Sequence, residues 1–181
     1  MATEQYGFYV DTTRCIKCWA CVIGCKQWNR IEAGTIARRK VTETNTGTFP
    51  NVTRTFTSTS CMHCKTPACI ASCPVEAITK REEDGIVVAD RELCIGCKQC
   101  REECPFDVPE YSFDEDAGAL RIDKCDACLS LGRKAGEDTH CVATCPMGAL
   151  HFGTLSELAE LAAKKGGALM EGETGPSVYV S

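Results

Sequence analysis

The sequence predicts an α+β fold. Short strands each lead into a cysteine-rich loop, and one longer helix and a tail follow near the C-terminus. Three observations carry that prediction. Sixteen of the 181 residues are cysteine, and they fall into four groups of four. A short strand signal precedes every group. Only residues 154–167 show a sustained helical pattern.

The strand signals differ in kind. Residues 7–11 read Gly-Phe-Tyr-Val-Asp, and residues 53–59 alternate Thr with other residues over a β-rich run. Residues 85–88 follow an Asp-Gly turn, and residues 120–122 read Leu-Arg-Ile. After each of the last three groups comes proline with a short apolar patch: residues 74–78, 105–108 and 146–150. These turns are expected to end each loop and to cover it with apolar side chains. Thr154 with Glu157 makes a capping box, and Leu155, Leu158, Ala159 and Leu161 supply a helical stripe. Gly166 and Gly167 end that helix, and residues 176–181 read as an extended end.

The groups are Cys15, Cys18, Cys21 and Cys25; Cys61, Cys64, Cys69 and Cys73; Cys94, Cys97, Cys100 and Cys104; and Cys125, Cys128, Cys141 and Cys145. The third has the form C-x2-C-x2-C-x3-C-P, the bacterial ferredoxin run. Two-residue gaps turn tightly enough to bring three thiolates onto one [4Fe–4S] cube, and the fourth cysteine serves the neighbouring cube. The first group has the same spacing with Lys26 in place of proline. The second widens one gap, and the fourth inserts a loop between Cys128 and Cys141. Four such runs imply four [4Fe–4S] clusters. Zinc needs only two C-x2-C pairs and has no use for a third close cysteine or the C-x3-C-P ending. Spacing leaves the pairing of groups open, because Cys73 to Cys94 and Cys104 to Cys125 are equally separated.

The remaining residues exclude most other chemistry. There is no nucleophile–base motif, P-loop or dinucleotide fingerprint. The formal net charge is −5 without a basic stripe, which argues against nucleic acid. Arg38, Arg39 and Lys40 read as a solvated loop or a partner contact. The histidines His63, His140 and His151 read as packing or surface residues, with His63 and His140 placed to tune a cluster. Trp19 and Trp28 read as cluster-shielding packing. Lys17, Lys65, Lys98 and Lys124 read as surface lysines close to the loops. No signal peptide is visible at Met1-Ala2-Thr3-Glu4-Gln5, and no apolar run approaches a membrane span.

The segments CIKCWACVIGC, CMHCKTPACIASCP, CIGCKQCREECP and CDACLSLGRKAGEDTHCVATCPMGALHFG stand in this order over about residues 6–153. In them the chain resembles the four-cluster electron-transfer subunits of the dimethyl sulfoxide reductase superfamily, which accompany molybdopterin or tungstopterin catalytic subunits. That resemblance implies two interleaved ferredoxin-like halves. One comprises residues 1–57 with 119–153, the other residues 58–118, and residues 154–181 add a C-terminal helix and docking tail. It also implies a pairing of outer with outer and inner with inner groups. One cube then takes Cys15, Cys18, Cys21 and Cys145, and a second takes Cys125, Cys128, Cys141 and Cys25. A third takes Cys61, Cys64, Cys69 and Cys104, and a fourth takes Cys94, Cys97, Cys100 and Cys73. Some relatives replace a group-three cysteine with tryptophan and hold a [3Fe–4S] cluster; Cys100 is present here.

The function implied is electron conduction, without substrate chemistry of its own, to or from such a catalytic subunit in an anaerobic reductase. Further implied partners are a membrane quinol-oxidising anchor or a soluble donor. Export alongside a twin-Arg partner is favoured over a cytoplasmic location. A free polyferredoxin shuttling between soluble enzymes is the alternative.

Overall fold

A computed structural model of the chain describes residues 4–134 and 136–181; the N-terminal reading at residues 1–3 lies outside them. It opens with strand β1 (Tyr6–Val10), whose Phe8, Tyr9 and Val10 are all buried. Burial on both faces is the mark of a central strand. β1 lies between two partners: antiparallel β8 (Leu150–Thr154), with Tyr6 opposite Thr154 and Val10 opposite Leu150, and parallel β10 (Val178–Val180). A two-residue strand β9 (Ala168–Leu169) completes this four-stranded sheet on the far side of β10.

Three hairpins make up the other strands. β2 (Lys40–Thr48) pairs with β3 (Asn51–Thr59), β4 (Ile78–Lys80) with β5 (Val87–Ala89), and β6 (Glu110–Asp114) with β7 (Ala119–Asp123). The four strands expected before the cysteine groups are therefore present as β1, β3, β5 and β7. Their hairpin partners were not legible, since β4 has only three residues and β2 offers no apolar alternation. The β2–β3 hairpin is mostly exposed and Thr-rich, and only Val41 and Ser58 are buried in it.

Four helical segments carry the third cysteine of each group: α1 (Ala20–Trp28), α2 (Ala68–Ala71), α3 (Gln99–Glu102) and α4 (His140–Ala143). α1 packs against α4, and α2 against α3. The apolar core is correspondingly split. One cluster gathers Phe8, Val10, Val22, Val41, Met62, Leu150 and Val178 around Cys21 and Cys141. Another gathers Ile78, Val87, Tyr111 and Ile122 around Cys100. Each is small, and each has cysteine within it.

Helix α5 (Leu155–Lys165) starts at the expected capping box. The Thr154 hydroxyl accepts from the Glu157 N–H, and the Glu157 carboxylate accepts from the Thr154 N–H. Leu158 and Ala162 pack on Tyr9, so α5 covers the second face of β1. The tail does not hang free for docking. β10 pairs with β1, Ser177 N–H donates to the Met62 carbonyl, and Lys65 N–H donates to the Gly175 carbonyl. The C-terminal strand thus ties the second cysteine loop to the sheet. The basic run is also not a solvated loop. Arg38 is paired with Asp123, and Arg39 is 2% exposed.

The parallel pairing depends on Gly7. A Cβ there would sit 1.9 Å from the Ser177 carbonyl oxygen. Gly7→Val is expected to release β10, making the C-terminus about tenfold more susceptible to carboxypeptidase, since loss of ~1.4 kcal/mol of local stability raises the open population tenfold. Unchanged digestion would show that this close contact does not hold the strand.

Candidate functional site

The four cysteine loops share a backbone pattern that composition alone does not announce. The residue two after the first cysteine is left-handed in every group: Lys17 (φ 56°), His63 (φ 44°), Gly96 (φ 70°) and Ala127 (φ 54°). Three of these are not glycine, so the conformation is maintained against its intrinsic cost. Loops one and three then enter their helices through a second left-handed residue, Trp19 and Lys98. Loops two and four, with wider gaps, enter through the extended residues Pro67 and Thr139.

The proline turns repeat as well. The third residue past the last cysteine is left-handed in each: Glu76, Asp107 and Gly148. This turns the backbone N–H of Ala77 onto the Cys73 sulfur and that of Ala149 onto the Cys145 sulfur, both at 3.3 Å. Group one lacks the proline, and α1 runs on to Trp28. There the Asn29 side-chain amide donates to the Cys25 sulfur at 3.7 Å.

The loops converge in space across long sequence distances. One apolar cavity is lined by Cys15, Cys18, Cys21 and Cys145, with Val41, Met147 and Leu150. Another is lined by Cys73, Cys94, Cys97 and Cys100, with Ile78, Tyr111 and Ile122. The other eight thiols are crowded in the same manner. Burial, then the thiolates of Cys125, Cys141 and Cys128, push the Cys25 pKa far up. Burial, then Cys61 and Cys104, push Cys69 up to about 12. Burial also pushes Cys128 up to about 12, with Cys125 and Cys141 adding to it.

None of the sixteen cysteines is in a disulfide. Among the described residues no three His, Cys, Asp or Glu side chains are placed to hold a single metal ion. The donor set fits iron–sulfur cubes: grouped soft thiolates, apolar walls, and N–H and O–H donors aimed at sulfur. Besides the two proline turns, Gly96 N–H and Ile122 N–H point to Cys94, Ala127 N–H points to Cys125, and the Thr174 hydroxyl points to Cys64.

The other sequence candidates separate clearly. His63 is fully buried within loop two. Its Nδ1 accepts from Val87 N–H at 3.1 Å, which places the ring proton on Nε2, and that atom has no hydrogen-bond partner among the described residues. Burial pushes its pKa down, against the pull of Cys125. His140 stacks on Trp28 at 4.0 Å. His151 sits by Lys165. Trp28 is an exposed outer face of that stack rather than a shield, and Trp19 is half-exposed at the rim of the first cavity. Lys17 pairs with Glu43. Lys124 is buried rather than solvated, its Nζ donating to the Val87 and Cys125 carbonyls.

Besides Asn29 and Thr174, three further side-chain partners of sulfur escaped the sequence reading. Tyr111 OH lies 2.9 Å from Cys100 Sγ, Ser58 Oγ 3.3 Å from Cys21 Sγ, and Thr139 Oγ1 3.2 Å from Cys141 Sγ. Tyr111 and Ser58 lie on strands, away from any cysteine run, and spacing gives no sign of them. Thr139 is close to Cys141 along the sequence, but threonine there reads equally as a helix cap.

Comparison with known proteins agrees with this chemistry. A family profile described as a 4Fe-4S dicluster domain matches residues 52–155. The YnfG subunit of a probable anaerobic dimethyl sulfoxide reductase from Escherichia coli is 37% identical over 166 residues, covering 87% of this protein and 78% of that one. The B subunit of anaerobic dimethyl sulfoxide reductase from Haemophilus influenzae is 38% identical over 86% of this protein and 77% of its own length. The formate dehydrogenase-O iron-sulfur subunit of Escherichia coli is 32% identical over 90% of this protein and 57% of its own length.

Burial and the Cys100 sulfur hold the Tyr111 pKa far above its ordinary value, so the hydroxyl keeps its proton and donates. Tyr111→Phe removes that donor from a sulfur that gains charge on reduction. The expected result is full iron content and a reduced form destabilised by on the order of 1 kcal/mol for one cluster only, read by EPR-monitored redox titration. Four unchanged potentials would show that the bond to sulfur is not made in the loaded protein.

Proposed function

This protein belongs to the 4Fe-4S dicluster family of iron–sulfur subunits that includes the B subunit of anaerobic dimethyl sulfoxide reductase, and from that premise we propose that it conducts electrons through four [4Fe–4S] clusters. The other terminus of the path is a molybdopterin or tungstopterin catalytic subunit of an anaerobic reductase. A membrane quinol-oxidising anchor or a soluble donor would complete the complex. No helix among the described residues is long and apolar enough to cross a membrane.

The proposed ligand sets exchange cysteines between groups. Cys15, Cys18 and Cys21 act with Cys145, and Cys125, Cys128 and Cys141 act with Cys25. Cys61, Cys64 and Cys69 act with Cys104, and Cys94, Cys97 and Cys100 act with Cys73. The observation that carries this reading is the lining of the two cavities, each made of three cysteines from one group and the last cysteine of another. The packing of α1 on α4 and of α2 on α3 supports the same division into outer and inner halves.

Each such cluster, when bound, supplies a one-electron carrier whose potential responds to charge and hydrogen bonds around it. The protein's own work is to hold four of them in order. Exchange of Cys25 and Cys145 joins the outer two, and exchange of Cys73 and Cys104 joins the inner two. Val87 N–H, ahead of loop three, donates to His63 of loop two, and the Cys125 thiolate of loop four acts on the same ring, which supports placing the two proposed halves side by side. Cys18 and Cys97 are exposed, and they belong to the first and fourth sets. Electrons would therefore enter and leave at the loops carrying those two residues. With all sixteen cysteines serving as ligands, none is left as a nucleophile, and the proposed role is non-catalytic.

The isolated protein, reconstituted without oxygen, should carry about sixteen iron atoms, four for each cube. Cys100→Ser should alter the EPR signal of one cluster and leave the other three. Iron content near half that value, or an unchanged spectrum, would overturn the ligand assignment. Purification from the native host should bring a molybdopterin or tungstopterin protein with it. A protein that always isolates alone and reduces several enzymes would instead be a free polyferredoxin.

A further inference from the structure

Arg39 is the largest of the fully buried side chains. Among the described residues no carboxylate lies within ion-pairing distance of it. A buried guanidinium without a counterion is costly by several kcal/mol, so its charge must be balanced by something else. The sulfur that the geometry places next to it is Cys21, reached through the Ser58 hydroxyl. Burial draws its pKa down, and the thiolates of Cys141, Cys125, Cys21 and Cys25 outweigh that and leave it raised. Phe8 covers one face of the guanidinium, with its ring centroid 4.6 Å from Cζ.

The hydrogen bonds give the charge a direction. One terminal nitrogen donates to both the Ser58 carbonyl and the Ser58 hydroxyl, at 3.1 and 3.2 Å. The other donates to the Ser60 hydroxyl at 3.0 Å. A guanidinium can only donate. The Ser58 oxygen is therefore an acceptor toward Arg39, and its own proton is free for the Cys21 sulfur, 3.3 Å away. Ser58 and Ser60 are both buried. Lys124, the other buried cation near the loops, is a useful contrast: its donors end on two carbonyls and its hydrogen bonds reach no sulfur.

We propose that Arg39 is a positioning residue: clamped by Ser58 and Ser60, it holds the Ser58 hydroxyl on Cys21 and raises the reduction potentials of the two clusters assigned to the outer cysteine groups. The inference rests on the four-cluster reading above. Reduction adds one negative charge to a cluster, so a nearby fixed cation and an O–H donor favour the reduced form. The fixed charge acts on both outer clusters. The hydroxyl acts only on the one that includes Cys21.

The test is an EPR-monitored redox titration of the full-length loaded protein, with iron counted in every sample. Arg39→Gln should lower the reduced-to-oxidised ratio of both outer clusters about tenfold at fixed ambient potential, which is about 59 mV for one electron, and leave the inner two in place. Ser58→Ala should shift only the cluster on Cys21, by roughly threefold. Arg39→Lys retains the charge but loses the two-pronged clamp, and should behave like Ser58→Ala. Four unchanged potentials in fully loaded Arg39→Gln, or an equal shift of all four, overturn the proposal. If Arg39→Gln fails to load, the other two variants decide: unchanged potentials in both overturn it, and a shift confined to the Cys21 cluster supports it. A wild-type protein that does not bind about sixteen iron atoms refutes the four-cluster reading instead, and iron counting shows this before any titration.

Discussion

Thiolates crowded in apolar surroundings repel one another and resist losing their protons. That constraint governs this molecule. Sixteen cysteines are drawn into tight groups, where burial and mutual repulsion push Cys25, Cys69 and Cys128 far above an ordinary thiol. Such an arrangement becomes favourable only when a metal group takes the charge and returns bond energy to the fold. The apolar cores are accordingly small, and each is built around cysteine. The protein folds around its ligand sets more than around its hydrophobic side chains.

The remaining architecture follows from where the backbone must turn. Each loop needs a left-handed residue two places after its first cysteine, and the proline turns need another three places after the last. These conformations aim backbone N–H groups at sulfur, as at Cys73 and Cys145. Apart from the nine-residue strands of the β2–β3 hairpin, the strands on either side are short, and they serve to bring the next loop back. β1 is the exception. It is sandwiched between the larger core and α5 and is flanked by β8 and β10, so the N-terminal and C-terminal strands are fastened together.

Much of this was legible in the sequence. The cysteine spacing gave the loops, and the strand before each group is present as β1, β3, β5 and β7. The Thr154–Glu157 capping box set the start of α5. Local pattern did not reveal what depends on distant partners. β4 is too short for alternation to register, and β10 gains its meaning only from pairing with β1. Arg38, Arg39 and Lys40 have the look of a solvated run, yet Arg39 is buried, and the charges that act on it come from cysteines 14 and 18 residues upstream and 86 and 102 residues downstream. Tyr111 and Ser58 reach sulfur from strands with no motif of their own.

The proposed wiring turns on the exchange of last cysteines between groups far apart in the sequence. Diffraction from the loaded protein, with anomalous signal collected at the iron absorption edge, tests that exchange most directly. It should locate four clusters, with Cys145 bonded to the same one as Cys15, Cys18 and Cys21, and Cys25 bonded to the one held by Cys125, Cys128 and Cys141. Cys145 bonded instead alongside the other cysteines of its own group would contradict it.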